Sequence, residues 1–342
     1  MTKGTSYLTR NDTLGTMVAN PAFRGFGHLL LPWNDRADFD LPLSRIARLL
    51  PYHSQVDVDT VVQALNRMIA AVDAGEQIFF DIYSEEEKAK DPEKRQTGLF
   101  CFRGKAGSPF AVIAPGGGFA YVGSVHEVFP FAAKIAEHGY HAFVLRYRLG
   151  NRKATEDMAA AIDFIEGHAA ELGIDRQNYS LWGGSAGARI VANISANGAR
   201  AYGGGTVIRP RAVVMAYTGH AGYSENDAPT FSIVGANDYI ADPEVMRRRA
   251  QKMKGLGIPV AFNVVAGLAM ASDWAPARRL KSVSMRRSVF GKNKWNRARA
   301  CTCAKRRMRE KKTEILYPDF CFSFKVFYLI KLSSIAATFS ST

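Results

Sequence analysis

The stretch YSLWGGSAG, at residues 179–187, decides the fold of this 342-residue chain. An apolar run ends there in a Gly-x-Ser-x-Gly pattern, and the small-residue helical pattern ARIVA follows at residues 188–192. This order is typical of a nucleophile elbow, a sharp strand-to-helix turn that presents a serine at the edge of a sheet. Gly183 and Gly187 would let the strand and the helix approach each other closely. The N–H of Ala186 would point from the helix N-terminus towards a developing oxyanion.

A second glycine cluster, PGGGF at residues 115–119, follows an apolar run at residues 110–114 and precedes Ser185 by 70 residues. Consecutive glycines let backbone N–H groups face one point without interference from Cβ atoms. The cluster lacks the Lys-Ser/Thr ending of a nucleotide-binding P-loop and the Gly-x-Gly-x-x-Gly spacing of a dinucleotide-binding fold. Before a Gly-x-Ser-x-Gly elbow, it best fits the second half of an oxyanion hole.

Short apolar segments alternate with helical patterns through the middle of the chain. After a predicted hairpin, strands are expected at residues 110–114, 141–145, 179–184, 212–217, 230–234 and 260–265. Helices are expected between them, and Thr155 is predicted to cap the helix that precedes the elbow strand. This alternation predicts an α/β fold with a mostly parallel central sheet and helices on both faces.

Residues 76–269 resemble an α/β-hydrolase of the acetyl esterase/lipase type, the hormone-sensitive-lipase-like branch. PGGGF stands where that family has its His-Gly-Gly-Gly motif, and GGSAG at residues 183–187 stands where it has its elbow. The segment FSIVGANDYI, residues 231–240, resembles the family's segment that carries the acid. The resemblance implies an α/β-hydrolase fold and a serine hydrolase of carboxylic esters. Pro115 in place of the motif's histidine is a minor departure, because backbone N–H groups bind the oxyanion.

Carried over by position, the resemblance implies Ser185 as the nucleophile and Asp238 as the acid that orients the base. It also implies an oxyanion hole made by the N–H groups of Gly116, Gly117 and Ala186.

Two further residues have alternative interpretations. Asp242 is the second candidate for the acid, because it also follows the strand at residues 230–234. His126, just beyond the glycine cluster, either lines the pocket or is a polar surface histidine.

The base that the family's chain order Ser…Asp…His requires is missing from the sequence. All seven histidines precede residue 221, and the position that should carry a His-Gly-Phe-like turn is Met270. We hypothesise a one-base frameshift near codon 270. Shifted codons at residues 270–277 can encode His-Gly-Phe-Gly-Leu-Gly-Thr-Gly, and those at residues 286–294 can encode an amphipathic terminal helix. Re-reading the coding DNA across codons 265–295 tests this hypothesis directly.

A break in composition supports the same hypothesis. Residues 1–270 contain 28 Lys and Arg against 27 Asp and Glu, whereas residues 271–342 contain 17 against 4. The tail therefore supplies +13 of the net charge of +14. We predict an N-terminal extension or cover at residues 1–75, a hydrolase domain at residues 76–269, and an aberrant basic, poorly ordered tail at residues 270–342.

The alternatives concern the tail and the substrate. A genuine basic tail could bind nucleic acid or an acidic partner, which would make the chain a non-catalytic binding protein. Nucleic acid is nevertheless not expected as a partner, because the rest of the chain is near neutral. Peptidases and dienelactone-type hydrolases share the scaffold and are the enzymatic alternatives.

The remaining expectations follow from composition. No cofactor or metal is expected, since the Cys-x-Cys pair at residues 301–303 has no second pair at zinc spacing. The sequence contains no uninterrupted apolar run long enough for a membrane span, and its first residues lack the apolar core of a signal peptide. We therefore expect a cytoplasmic hydrolase of small-molecule esters with a small acyl group, crippled in this chain because the triad histidine is missing.

Overall fold

The computed structural model describes residues 6–33, 37–49 and 56–266. The α-helices of this part are α1 (Leu14–Val18), α2 (Val58–Asp73), α3 (Glu85–Lys90), α4 (Phe129–Glu137), α5 (Asn151–Gly167), α6 (Ala169–Leu172), α7 (Ala186–Asn197) and α8 (Pro243–Gly255). The strands are β1 (Phe79–Phe80), β2 (Gly98–Phe102), β3 (Ser108–Ala114), β4 (His141–Arg146), β5 (Ile174–Gly184), β6 (Ala212–Ala216), β7 (Thr230–Gly235) and β8 (Val260–Val265). Short 3-10 segments and one π-helical turn, Ser124–Val128, connect them.

One eight-stranded sheet organises the structure, with the strand order β1-β2-β4-β3-β5-β6-β7-β8. The strand β2 is antiparallel to β1 and β4, and the pairs from β4 through β8 are parallel. This mostly parallel order with an antiparallel second strand is the topology of the α/β-hydrolase fold. The predicted fold class is therefore confirmed.

Alternating side chains of the strands divide the core between the two faces. On one face Phe143, Leu145 and Leu181 belong to the same buried cluster as residues of α5 and α7. On the other face Val144 and Trp182 pack with α2, α4 and the N-terminal segment. Central strands are buried on both faces, which explains their continuous apolar runs in the sequence.

Residues before β1 cover the second face of the sheet. The helix α2 buries an apolar stripe of Val61, Ala64, Leu65, Met68 and Ile69. Phe26 stacks on Phe79 with a ring-centroid distance of 4.5 Å. Trp33 lies against Tyr121, beyond the glycine cluster, with a centroid distance of 4.6 Å. This part of the chain packs on the sheet and reaches the edge where the elbow lies.

One predicted helix start was wrong. Thr155 was expected to cap the helix before the elbow strand, but α5 begins four residues earlier at Asn151, after Gly150. Thr155 lies inside the helix, where its hydroxyl donates to the carbonyl of Asn151 at 2.8 Å. A threonine that satisfies its hydroxyl with the i−4 carbonyl is tolerated within a helix, so its type alone does not mark a helix start.

The predicted tail at residues 270–342, the frameshift and the family's histidine position at Met270 lie outside the described residues. Within the described ranges, no helix is both long and apolar enough to span a membrane.

Candidate active site

The predicted site residues meet at one edge of the sheet, where the parallel strands β3, β5, β6 and β7 end. The glycine cluster follows β3, Ser185 follows β5, Tyr217 follows β6 and Asp238 follows β7. The carboxyl edge of an open parallel sheet is where α/β folds place their ligands, because the loops after neighbouring strands converge there.

Ser185 has the backbone conformation that an elbow requires. Its φ of 52° and ψ of −115° place it outside the regions that non-glycine residues prefer, between the last residue of β5 and the first residue of α7. A methyl group on Gly183 would collide with the backbone of Gly187, and one on Gly187 would collide with the carbonyl of Ala114. Both predicted close approaches are therefore present. The Ser185 N–H donates to the carbonyl of Ala216 at 3.0 Å, which fixes the turn to β6.

Backbone strain is concentrated at this edge. Within the described ranges, three non-glycine residues have positive φ: Phe119 at 62°, Ser185 at 52° and Tyr217 at 33°. They follow β3, β5 and β6 respectively. Such conformations cost roughly 1–3 kcal/mol each and persist where the surroundings hold them, often at functional sites.

The glycine cluster forms a closed loop. The Gly117 carbonyl accepts from the N–H groups of Ala120 and Tyr121, and Gly123 N–H donates to the Gly116 carbonyl at 3.0 Å. Tyr147, just after β4, donates its hydroxyl to the Pro115 carbonyl at 2.7 Å. The loop that follows β3 is thus held from inside and from β4.

The three N–H groups that were predicted to form the oxyanion hole differ in whether they already make a hydrogen bond. Gly116 N–H donates to Glu127 Oε2 at 2.8 Å and is already engaged. The N–H groups of Gly117 and Gly118 make no hydrogen bond to any residue in the described part of the chain. Ala186 is the first residue of α7, so its N–H has no acceptor within the helix.

Glu127 is a functional candidate that the sequence did not single out. It is 6% exposed on the π-helical turn, and the Tyr217 hydroxyl also donates to it, at Oε1. Burial raises the pKa of Glu127 to about 7, against the opposing effect of its two hydrogen bonds. One signal was present in the sequence. Glu127 is the single acidic residue between Glu93 and Glu137, a segment that also contains the glycine cluster.

Asp238 has the environment expected of an orienting acid. It is 5% exposed, and its Oδ1 accepts from the N–H groups of Ile240 at 2.9 Å and Ala241 at 2.7 Å. Its Oδ2 is buried and has no hydrogen-bond partner among the described residues. Asp242, the second candidate, is exposed and caps α8 through the N–H of Glu244 at 2.8 Å. Of these two candidates, only Asp238 has a buried carboxylate oxygen without a donor among the described residues.

Two histidines near the site, His126 and His220, are candidates for a substitute base. Burial, with smaller contributions from Arg249 and Arg189, lowers the pKa of His220 to about 4, so that it is a weak proton acceptor. His126 is buried rather than exposed, and its Nε2 lies 3.4 Å from a methyl group built on Gly123. In the described part of the chain, no histidine donates to Asp238.

A buried ion pair beside Tyr147 supports the glycine loop indirectly. Arg148 Nε donates to Asp157 Oδ1 at 2.9 Å, and the Arg148 N–H donates to Asp157 Oδ2 at 2.6 Å. The hydroxyl of Tyr83 donates to the same carboxylate at 2.6 Å. Because Arg148 directly follows Tyr147, this pair fixes the segment that holds the Pro115 carbonyl.

Two cavities lie near the elbow strand and the helix that follows it. The larger, about 720 Å³, lies at the C-terminal end of α7 beside Arg209 and Asn226. A helix of that length places it roughly 18 Å from Ser185. The smaller, about 10 Å³, is lined by Ile113, Glu127, Val128, Phe131, Trp182, Gly183, Gly184 and Tyr217. Because the smaller cavity borders the elbow strand, we associate it with the site and the larger one with the far side of the molecule.

The residues that the structure describes contain no cluster of three or more His, Cys, Asp or Glu side chains that could hold a metal ion. Within the same ranges the site consists of a serine, carboxylates, phenols and backbone N–H groups. This set is suited to acyl transfer through a serine, once a base is available.

Comparisons with known proteins give one match to a protein family and several matches to solved structures. A family model described as BD-FAE matches residues 102–201, which span the glycine loop and the elbow helix. No curated protein matches the chain in sequence.

Several solved structures match in fold. One is an esterase from Thermogutta terrifontis, with 21% identity, 51% of this chain and 79% of that chain covered, and a TM-score of 0.44. A carboxylesterase from Lactobacillus plantarum is 22% identical, and the match covers 51% of this chain and 78% of that chain with a TM-score of 0.46. An acetyl ester-xyloside bifunctional hydrolase from Caldicellulosiruptor lactoaceticus is 17% identical, and the match covers 56% of this chain and 86% of that chain with a TM-score of 0.49. By its sheet order and its elbow, this chain has the α/β-hydrolase fold, and the segment that carries both glycine motifs is similar to the BD-FAE family.

Proposed function

We propose that the protein is a serine hydrolase of carboxylic esters that acts through an acyl-enzyme at Ser185. The observation that carries the proposal is the strained serine between β5 and α7, held opposite a glycine loop with unengaged N–H groups. Such a turn costs free energy that an ordinary strand-to-helix connection does not require. In the proposed reaction, Ser185 Oγ attacks the ester carbonyl, the alcohol leaves, and water then hydrolyses the acyl-enzyme.

The proposed oxyanion donors are the N–H groups of Gly117 and Ala186, with Gly116 as a further donor. The structure places Gly116 N–H on Glu127, so Gly116 could serve the oxyanion only after that contact is released. Gly118 N–H is a candidate for its place, because it lies on the same loop and is unengaged by the described residues. Two donors aimed at a developing oxyanion are worth roughly 10²–10³-fold each in turnover.

We propose that the acyl group of the substrate is small. The cavity beside the elbow strand has about 10 Å³, which is room for one water-sized group. This small volume favours a methyl group over a longer acyl chain, although Ser185 itself is not among the residues that line the cavity. The acyl group of the proposed substrate is therefore acetyl-like. Its alcohol part is not specified by the described residues.

The proposed acid is Asp238, whose buried Oδ2 has no donor among the described residues and could accept from a base. Because the sequence has no histidine after residue 220, this chain should turn over esters only slightly faster than a variant without the serine. The alternative of a non-catalytic protein that binds partners through its basic tail rests on residues outside the described ranges, and it stays a prediction of the sequence.

The test is to supply the missing base in two ways. Hydrolysis of p-nitrophenyl acetate is measured for the full chain, for Ser185→Ala and for Met270→His, each with and without added imidazole. The Ser185→Ala rate is subtracted at every imidazole concentration, because imidazole itself hydrolyses activated esters in solution. We expect a serine-dependent rate near zero for the chain as it is, and a clear serine-dependent rate after the base is supplied by either route.

Two outcomes would change the conclusion. A clear serine-dependent rate without added base would show that another residue activates Ser185. No serine-dependent rate under any of these conditions would contradict the proposed hydrolase function. A comparison of p-nitrophenyl acetate with the butyrate ester then tests the size of the acyl group, and we expect the acetate to react faster.

A further inference from the structure

We propose that Glu127 is a positioning residue whose side chain fixes the glycine loop against the nucleophile turn. The inference rests on the proposed function for its kinetic consequences, but it makes a structural claim that can be tested separately.

Glu127 closes both ends of the glycine loop. Its side chain accepts from Gly116 N–H at 2.8 Å, at the beginning of the loop. Its own N–H donates to the carbonyl of Gly123 at 3.2 Å, at the end of the loop. In addition, Gly123 N–H donates to the Gly116 carbonyl at 3.0 Å. One residue therefore connects the two points at which the loop leaves and rejoins the fold.

The carboxylate also lies directly beside the nucleophile turn. A methyl group built on Gly116 would be 2.9 Å from Glu127 Oε1 and 3.2 Å from Ser185 Cβ. A methyl group built on Gly184 would be 2.8 Å from the same Oε1. Because residues 116 and 184 are glycines without a Cβ atom, there is room for the carboxylate of Glu127 beside them. The side chain of Glu127 fills the gap between the loop and the elbow.

A third element fixes the carboxylate in this position. The Tyr217 hydroxyl donates to Glu127 Oε1. Tyr217 has a φ of 33°, and its N–H donates to the Ile233 carbonyl at 2.8 Å. The strained residue after β6 therefore directs a phenol at the same carboxylate that holds the loop. Strained residues of this kind cluster at functional sites, where the surrounding structure holds them.

The charge of Glu127 has a predictable effect on the proposed chemistry. An ionised carboxylate beside Ser185 would repel a developing oxyanion, whereas its protonated form would not. Burial raises the pKa of Glu127 to about 7, so both forms are present near neutral pH. The phenol of Tyr217 donates to this carboxylate, and the phenol of Tyr147 interacts with it electrostatically. Charged and phenolic groups that act on those two phenols in turn are Tyr121, Arg146 and Asp238.

Glutamine and alanine substitutions separate the contact from the charge. Glu127→Gln keeps an oxygen that can accept from Gly116 N–H but removes the charge. Glu127→Ala removes both, and it leaves two buried donors without an acceptor. Tyr217→Phe removes one of the two donors and serves as the second variant if Glu127→Ala does not fold. Glu225→Gln, at an exposed position, is the matched control.

Amide hydrogen exchange of the full chain tests the positioning claim without any need for activity. We expect faster exchange of the peptide that contains residues 116–118 in Glu127→Ala, a smaller increase in Tyr217→Phe, and near-native exchange in Glu127→Gln and Glu225→Gln. Unchanged exchange of this peptide in both Glu127→Ala and Tyr217→Phe would overturn the proposal.

Kinetics in the Met270→His background, or with imidazole, test the consequence for catalysis. We expect Glu127→Ala to lower kcat by about 10- to 100-fold with KM changed less than about threefold. The ratio of kcat for Glu127→Gln to kcat for the parent should rise at least about tenfold from pH 5.5 to 8.5, because only the parent gains a charge. A flat ratio together with an unchanged kcat in Glu127→Ala would reject the catalytic consequence. If no chain shows serine-dependent hydrolysis, the proposed function fails, and the exchange result alone decides the role of Glu127.

Discussion

Hydrogen bonds from several described residues fix the loops after β3 and β5, whereas the loop after β7 keeps one carboxylate oxygen without a donor among those residues. The glycine loop receives hydrogen bonds from Tyr147 and is closed by Glu127, and the elbow is fixed to β6 through the Ala216 carbonyl. On the other side, Asp238 uses one carboxylate oxygen for two backbone N–H groups and leaves the other buried without a donor.

The strands differ in the same way. The central strand β3 is buried through its last five residues, whereas five of the six residues of β8 are only half-buried. A parallel strand near the centre of such a sheet is normally covered on both faces, while an edge strand depends on what packs beside it. The nucleophile side of the site is therefore complete within the described chain, and the acid side has one acceptor and one edge strand that still lack partners.

The largest effect is expected where the acid side is completed. If Met270→His places a base beside Asp238, then Asp238→Asn in that background should remove the gain, about 10⁴-fold in kcat. The amide keeps the acceptor for Ile240 and Ala241 but cannot fix the imidazole in the tautomer that accepts the serine proton. The measurement is serine-dependent hydrolysis of p-nitrophenyl acetate by the single and the double variant.

Asp242→Asn is the matched control, because Asp242 only caps α8 and is exposed. It should leave the gain within about twofold. Loss of the gain in Asp242→Asn, but not in Asp238→Asn, would exchange the roles of the two carboxylates.

The next effect concerns the elbow on the complete side. Gly187→Val should destabilise the fold by about 4 kcal/mol or more, because any Cβ at this position collides with the backbone oxygen of Ala114. Gly255→Ala is the control, since nothing lies within 4 Å of a methyl group there and φ is not positive. It should be neutral or stabilise by up to about 1 kcal/mol. Urea unfolding of both variants measures the difference, and equal midpoints would contradict the close approach at Gly187.

How far the sequence predicted the molecule depends on which side is considered. The runs at residues 110–114 and 260–265 set the strands β3 and β8 to within two residues, because buried parallel strands are short and continuously apolar. The elbow was predictable because Gly183 and Gly187 report a backbone approach that other residues cannot make. Such signals are local, so one sequence suffices to interpret them.

Glu127 was not predictable in the same way. Its contacts to Gly116 and Tyr217 join positions 11 and 90 residues apart, and no spacing in the sequence encodes them. The helix start at Asn151 was missed for a related reason, since Thr155 satisfies its hydroxyl inside the helix instead of at the cap. The division at residues 75 and 269 stays a prediction.

A medium effect is expected from the buried ion pair behind the glycine loop. Asp157→Ala should cost about 3 kcal/mol, because it leaves the buried guanidinium of Arg148 without its main partner. Arg148 keeps a contact to Asp91 at 2.6 Å, which limits the cost. The control is Glu86→Ala, which breaks the exposed pair of Glu86 with Lys90 and should cost less than about 1 kcal/mol. Similar unfolding free energies for both variants would show that the loop does not depend on this pair.

The smallest effect is the contribution of Glu127 to the pH dependence of stability. Its pKa is raised from 4.5 to about 7 by burial, so the folded state binds more protons than the unfolded state between these values. Stability should therefore fall as pH rises through this window, by at most about 3 kcal/mol, and should not change further above it through this group. Glu127→Gln should lack this fall, and the exposed Glu225→Gln should keep it.

Urea midpoints of the three chains at pH 4.5, 6 and 8 measure the difference, since other titrating groups contribute equally to all of them. A parent that loses no more stability than Glu127→Gln over this range would mean that Glu127 ionises as an exposed carboxyl does. Its carboxylate would then have to be stabilised by more than the phenol of Tyr217 and the N–H of Gly116. In that case the complete side of the site would carry a permanent negative charge beside Ser185, and the oxyanion would have to form against it at every pH.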